Sequence, residues 1–136
     1  MKRAALIALL FSAACASHGN GDIGSGAAPL GALAGSEWVM LSQADGASRP
    51  TIVFAQDRAS GHAGCNRWFG AVSASDQGLE FSGIGLTRMM CPPPMMETES
   101  TFTTVLNETR GFRIENGELV LYDIGGTDLA RFRRTN

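Results

Sequence analysis

The sequence predicts an α+β fold that is mostly β: about eight short antiparallel strands forming a curled sheet or partial barrel, with one helix at about 95–109. Three observations carry this expectation. Short β-rich runs recur between clusters of Gly, Asn, Asp, Ser and Pro, which is the punctuation of hairpins. The apolar period changes from two to a mixture of three and four once along the chain, just after the three prolines that follow Cys91. Asn116-Gly117, set between two alternating runs, is the strongest short hairpin signal in the chain.

Residues 1–14 stand outside that fold. Lys2 and Arg3 precede an apolar run from Ala4 to Phe11, and Ser12, Ala13 and Ala14 lead to Cys15; this is the pattern of an export signal. The run is shorter than the roughly 20 apolar residues a bilayer span requires, and no later segment approaches that length. Phe11-Ser12-Ala13-Ala14-Cys15 resembles a bacterial lipobox, with Ser12 where Leu is usual. Cleavage before Cys15 would free its backbone nitrogen and leave its thiol for lipidation; conventional secretory cleavage nearby is the alternative. Because Ala16 and not Asp follows the cysteine, a lipidated form is expected at the periplasmic face of the outer membrane of a double-membrane bacterium. An unlipidated form would be periplasmic or secreted. Residues 15–32 are rich in Gly, Ala and Ser and too poor in large apolar side chains to offset their ordering entropy, so they read as a flexible tether. The domain is expected over 33–136.

Within it, strands are expected at 36–42, 51–55, 59–64, 68–74 and 79–83, the last two as a hairpin, with 84–90 extended and leading into Cys91. Met95, Thr98, Phe102, Val105, Leu106 and Thr109 recur at spacings of three and four and form one face of an amphipathic helix. Pro94 suits its first turn, Glu97 and Glu99 its positive end, and Gly111 its stop. Strands at 112–116, 118–123 and 128–134 complete the chain. Phe112 and Ile114 alternate with Arg113 and Glu115, and Leu119 and Leu121 alternate with Val120 and Tyr122.

Hydrophobic residues make up 44% of the chain and its net charge is −2, so one ordinary core is expected, with no basic surplus to attract nucleic acid. Of three cysteines, Cys15 is the candidate lipid anchor, which leaves Cys65 and Cys91 as an even pair in an exported chain. A disulfide between them would close a loop of about 27 residues, worth roughly 3.5 kcal/mol in the chain-entropy treatment. In that reading Gly64 permits a tight backbone, Asn66 bonds its own turn or takes a left-handed conformation, and Trp68 or Phe69 packs over the bridge. Two other readings compete. His62 and Cys65 could be a base and a nucleophile, but residues three apart in an extended segment point to opposite faces and no third group orients them. His62, Cys65 and Cys91 could bind zinc, but they make three ligands where a structural site takes four. No catalytic residue, metal or cofactor is therefore expected.

Several segments together resemble the META domain, also called HslJ-like. They are "LAGSEWVML", "TIVFAQDRASGHAGCNRWFGAV", "GIGLTRMMCPPPMMETESTFTTVL" and "GELVLYDIGGTDLARF". The matching positions are Gly35 and Trp38; Gly61, Gly64, Cys65, Asn66, Phe69 and Gly70; Thr87, Met89 and Cys91; Glu97 and Glu99; and Leu119 and Leu121. The resemblance covers about residues 33–134. It implies a small mixed β domain with one helix, found in bacterial envelope proteins, some heat-shock-inducible, with a suggested likeness to pilotin-type lipoproteins. It implies no enzymatic activity.

Arg67 and Arg88 flank the two cysteines and would form an anion patch once these are joined, although solvated or paired arginines are the commoner outcome. Met89, Met90, Met95 and Met96 flank the prolines; Met89 and Met95 are expected as core filler, Met90 and Met96 as a partner surface. The function expected is a non-enzymatic, exported envelope module that binds or assembles with an envelope protein or an apolar ligand, envelope stress included, and that reaches the membrane through its lipid. The alternative is an inhibitor or small-molecule carrier acting through the barrel mouth or the loop 43–50.

Overall fold

The computed structural model describes residues 29–41, 48–76 and 78–136; the segment expected as an export signal, Cys15, most of the expected tether and most of the loop 43–50 lie outside them. A 3₁₀ turn at Leu30–Leu33 places Leu33 in the core and is followed by eight strands: β1 (Glu37–Met40), β2 (Thr51–Phe54), β3 (Arg58–His62), β4 (Arg67–Ser73), β5 (Glu80–Leu86), β6 (Gly111–Glu115), β7 (Glu118–Tyr122) and β8 (Asp128–Arg134). The one helix, α1 (Pro93–Glu108), lies between β5 and β6 in sequence.

All strands join one antiparallel sheet in the order β5-β4-β3-β2-β1-β8-β7-β6. Strands that pair are consecutive in sequence except β1 and β8, which join the two ends of the domain. The two edge strands approach each other at one end. Gly78 and Gly111 form an antiparallel bridge, and the Leu79 amide donates to the Arg110 carbonyl at 3.2 Å. The sheet is thus a half-barrel, and α1, which contacts β5 and β8, packs on its concave side.

The core explains why this sequence curls. The inward residues of the strands are large and apolar, and Phe102, Val105 and Leu106 of α1 are buried among them. Phe102 meets Trp68 edge-on with ring centroids 5.6 Å apart and Phe132 at 6.4 Å, so one helical side chain joins β4 to β8. Phe81 extends the cluster from Trp68 to Phe54. Side chains therefore fill the concave interior.

The hairpin at 116–117 forms as the sequence predicts: Asn116 and Gly117 both take left-handed backbone angles, φ 53° and 80°, as a two-residue type I′ turn requires. Elsewhere the structure corrects the expectations. The strand predicted at 79–83 runs on to Leu86, with a register shift against β4 between Phe69 and Ala71. The helix begins at Pro93, two residues early, so Glu97 and Glu99 lie beyond its first turn and do not serve its dipole. Ile114, next to the hairpin turn on an edge strand, is exposed. Val120, predicted on the polar side of β7, is fully buried; its cross-strand neighbours are Arg113 and Arg131, whose aliphatic stems can shield it. Among the described residues, no helix is long and apolar enough to cross a membrane.

Candidate functional site

The cysteines and the motif residues around them come together at one corner, where the start of β4, the segment 87–91 and the first turns of α1 meet. Cys65 and Cys91 are joined by a disulfide, with Cα atoms 5.9 Å apart and a sequence separation of 26. The bond consumes both thiols, so neither the nucleophile nor the zinc reading retains its sulfur. His62 shapes the backbone instead. Its Nδ1 accepts a hydrogen bond from the Gly64 amide at 3.2 Å, closing the turn that leads to Cys65.

Asn66 is the centre of this corner, and it does more than shape its own turn. Its side chain is buried and every hydrogen-bonding position is used. Nδ2 donates to the Met89 carbonyl at 3.2 Å and to Glu99 Oε1 at 3.0 Å. Oδ1 accepts from the Met89 amide at 2.6 Å and the Thr87 hydroxyl at 3.1 Å. The Asn66 amide donates to Glu99 Oε2 at 2.6 Å, so one carboxylate on α1 receives two hydrogen bonds from one residue. Asn66 does not take a left-handed backbone; among described non-glycine residues only Asn116 does. Thr87 continues the network by accepting from the Arg67 amide at 3.1 Å.

The surrounding glycines are fixed by space. A Cβ on Gly61 would run into the Thr51 carbonyl, which also accepts from Trp68 Nε1 at 2.9 Å. Gly64 combines φ +116° with a helix pressed against it: a Cβ there would lie 2.9 Å from the Thr98 methyl and 3.2 Å from the Glu99 amide nitrogen. Gly70 faces the Ser82 carbonyl across the β4–β5 pair. Phe69 is half exposed and lies against Gly85, while Trp68 is buried in the core against Phe81 and Phe102.

Gly35 and Trp38 belong to a second corner. The Gly35 amide donates to the Phe54 carbonyl at 2.8 Å, Trp38 Nε1 donates to the Ser36 hydroxyl at 2.7 Å, and Arg134 stands 5.8 Å from the centre of the Trp38 ring. The Gly35 carbonyl accepts from Asn136 at 3.0 Å, which ties the start of the domain to its end.

The META domain matches residues 31–136. The chain belongs to the META domain family. Two solved structures are similar to it. One, described as an NMR structure of the protein from Burkholderia xenovorans, is 26% identical, with a TM-score of 0.63 over 79% of this chain and 86% of that one. The other, described as an NMR structure of the protein, is 25% identical, with a TM-score of 0.59 over 76% of this chain and 92% of that one. No curated protein matches. In this META domain, the Gly-Cys-Asn and Thr-x-Met-x-Cys segments are the two halves of the corner just described, and Glu99 on α1 is the third partner.

Beside the corner lies an open cavity of about 510 Å³, bounded by Ile84 and Leu86 of β5, Met89, Met90, Met96 and the Asn66–Glu99 pair. Met89, expected as core filler, is 57% exposed, and Met90 is 92% exposed. The alternation that would bury Met89 stops at Leu86, where β5 ends. Met95 and Met96 are both half-buried. Arg67 and Arg88 are exposed, and Arg88 lines the cavity.

The outer face of β6–β8 carries a second polar cluster that sequence reasoning missed, although Arg and Glu or Asp at cross-strand positions are its signal. Arg113 pairs with Asp128 at 2.8 Å, and Arg131 pairs with Glu115 at 2.8 Å and Asp128 at 3.2 Å. The Arg113 hydrogen bond holds Asp128 below its ordinary carboxylate value. Arg131 is raised, chiefly by its hydrogen bond to Glu115.

Proposed function

We propose that this META domain is a non-enzymatic, exported envelope protein, anchored through Cys15, that uses the groove beside the disulfide corner as a docking surface for an envelope protein or an apolar ligand. The observation that carries the reading is that exposed methionines and the end of β5 line one cavity over a corner locked by a disulfide and a saturated Asn66. Contiguous exposed apolar surface on a small domain marks interaction more often than packing. Methionine, unbranched and polarizable, suits a surface that adapts to what it binds. Rigid support beneath lowers the ordering cost of binding. The export signal supports the compartment in which such a disulfide persists.

The test is site-specific photo-crosslinking in native envelopes, with the reactive group at Met90 and, as control, at Glu108 on the far end of α1. The expected result is one discrete adduct from position 90, absent from position 108, with an acyl chain on Cys15 in the mass spectrum. Equal, diffuse labelling from both positions would remove the docking reading. An unmodified Cys15 would remove the anchor.

A further inference from the structure

Four of the chain's six methionines fall within eight positions, at 89, 90, 95 and 96. Three of them, Met89, Met90 and Met96, line the cavity beside the disulfide, approaching it from both sides of the proline turn. Because the disulfide removes the only cysteine thiols at this corner, the soft donors left facing the cavity are thioethers. Apolar packing alone does not account for them: Met89 and Met90 leave 57% and 92% of their surface in solvent, where a buried aliphatic would be worth more. Thioether sulfur is a poor ligand for hard or borderline cations and a good one for Cu(I) and its redox-inert analogue Ag(I). Methionine is unbranched with three rotatable bonds, so each sulfur can take up a range of positions along the cavity wall.

The electrostatics fit a single positive charge. Glu99 lines the cavity with a carboxylate held in place by Asn66, while Arg88, also lining it, is exposed and can swing into solvent.

We propose that Met89, Met90 and Met96 form a thioether site for a soft monovalent metal ion, Cu(I) or Ag(I). The site lies in the groove of the proposed function but stands on its sulfurs alone, so it can fail while docking holds, and the reverse.

The experiment is a titration of the full chain carrying Cys15→Ser, with the disulfide intact, by Ag(I), read by the ¹³C-methyl resonances of its methionines. One equivalent is expected to shift Met89, Met90 and Met96 together and leave Met40 unmoved. Met89→Leu, Met90→Leu and Met96→Leu combined should weaken binding by about 100-fold or more, since leucine keeps the volume and removes the ligand. An unchanged circular dichroism spectrum then shows that the fold survived. Competition with a chromophoric Cu(I) chelator should give the same ranking of variants. Binding that persists in the triple variant, a response confined to one methionine, or no binding at all would overturn the proposal.

Discussion

The corner around Asn66 and the outer face of β6–β8 are each tied by several hydrogen bonds to charged or polar side chains, yet they differ in what surrounds those bonds. At the corner, Asn66 is buried, its four side-chain positions are used, and a disulfide lies one residue away. On the outer face, five charged side chains share contacts of 2.8–3.6 Å, but each side chain keeps more than a third of its surface in water. Burial makes the difference. A buried polar group that loses its partner keeps the full cost of its desolvation, whereas an exposed ion recovers water. The corner therefore holds the fold, and the outer face tunes it.

The largest loss of stability is expected on removing the covalent tie. Cys65→Ala with Cys91→Ala should cost about 3.5 kcal/mol of stability, the loop-closure value for this spacing. Urea denaturation with and without reductant should show the wild type falling to the level of the variant once reduced. If reduction leaves the midpoint unchanged, the hydrogen bonds alone hold the corner.

Next in size is Asn66→Ala, which leaves Glu99 Oε1 and the Met89 peptide without their side-chain partners, while the backbone bond to Glu99 Oε2 remains, and should cost about 2–3 kcal/mol. Asn66→Asp sharpens the point. It keeps the shape but sets a second carboxylate against Glu99, so the variant should be closest to wild type at acid pH, where the two carboxyls can share a proton, and furthest from it near neutrality. Gly64→Ala should follow, at about 1–3 kcal/mol, because the new methyl meets Thr98 and the backbone angle disfavours any side chain. A thermal melt that matches wild type would show that α1 can retreat at no cost.

How much of this is legible in the sequence depends on distance along the chain. The half-barrel, the late helix, the hairpin at Asn116-Gly117 and the pairing of Cys65 with Cys91 can all be read, because period, turn chemistry and cysteine arithmetic are local or countable signals. The Asn66–Glu99 contact cannot: the two residues lie 33 positions apart, and each has a plausible local role, a turn for one and a helix dipole for the other. Met89 escapes the pattern for a related reason, since alternation holds only while the strand lasts and β5 ends at Leu86. Val120 shows the opposite error, a position on the polar face, in register with Arg113 and Arg131, that is fully buried.

The smallest expected effect lies on the outer face and tests the comparison from its weak side. The Asp128 carboxylate is held below its ordinary value, first by its hydrogen bond to Arg113 and then by the Arg113 and Arg131 charges, against a desolvation that pulls the other way. A carboxylate with a lowered folded value stabilises the native state above its unfolded value, about 3.9, and loses that contribution as pH falls through the lowered one. Wild type should therefore lose a small increment of stability below about pH 4 that Asp128→Asn lacks, and added salt should shrink the difference because the pairs are exposed. Urea midpoints at neutral and acid pH, in low and high salt, would resolve it. If Asp128→Asn proves as costly at neutral pH as Asn66→Ala, solvent does not screen this face, and burial is not what separates the two regions.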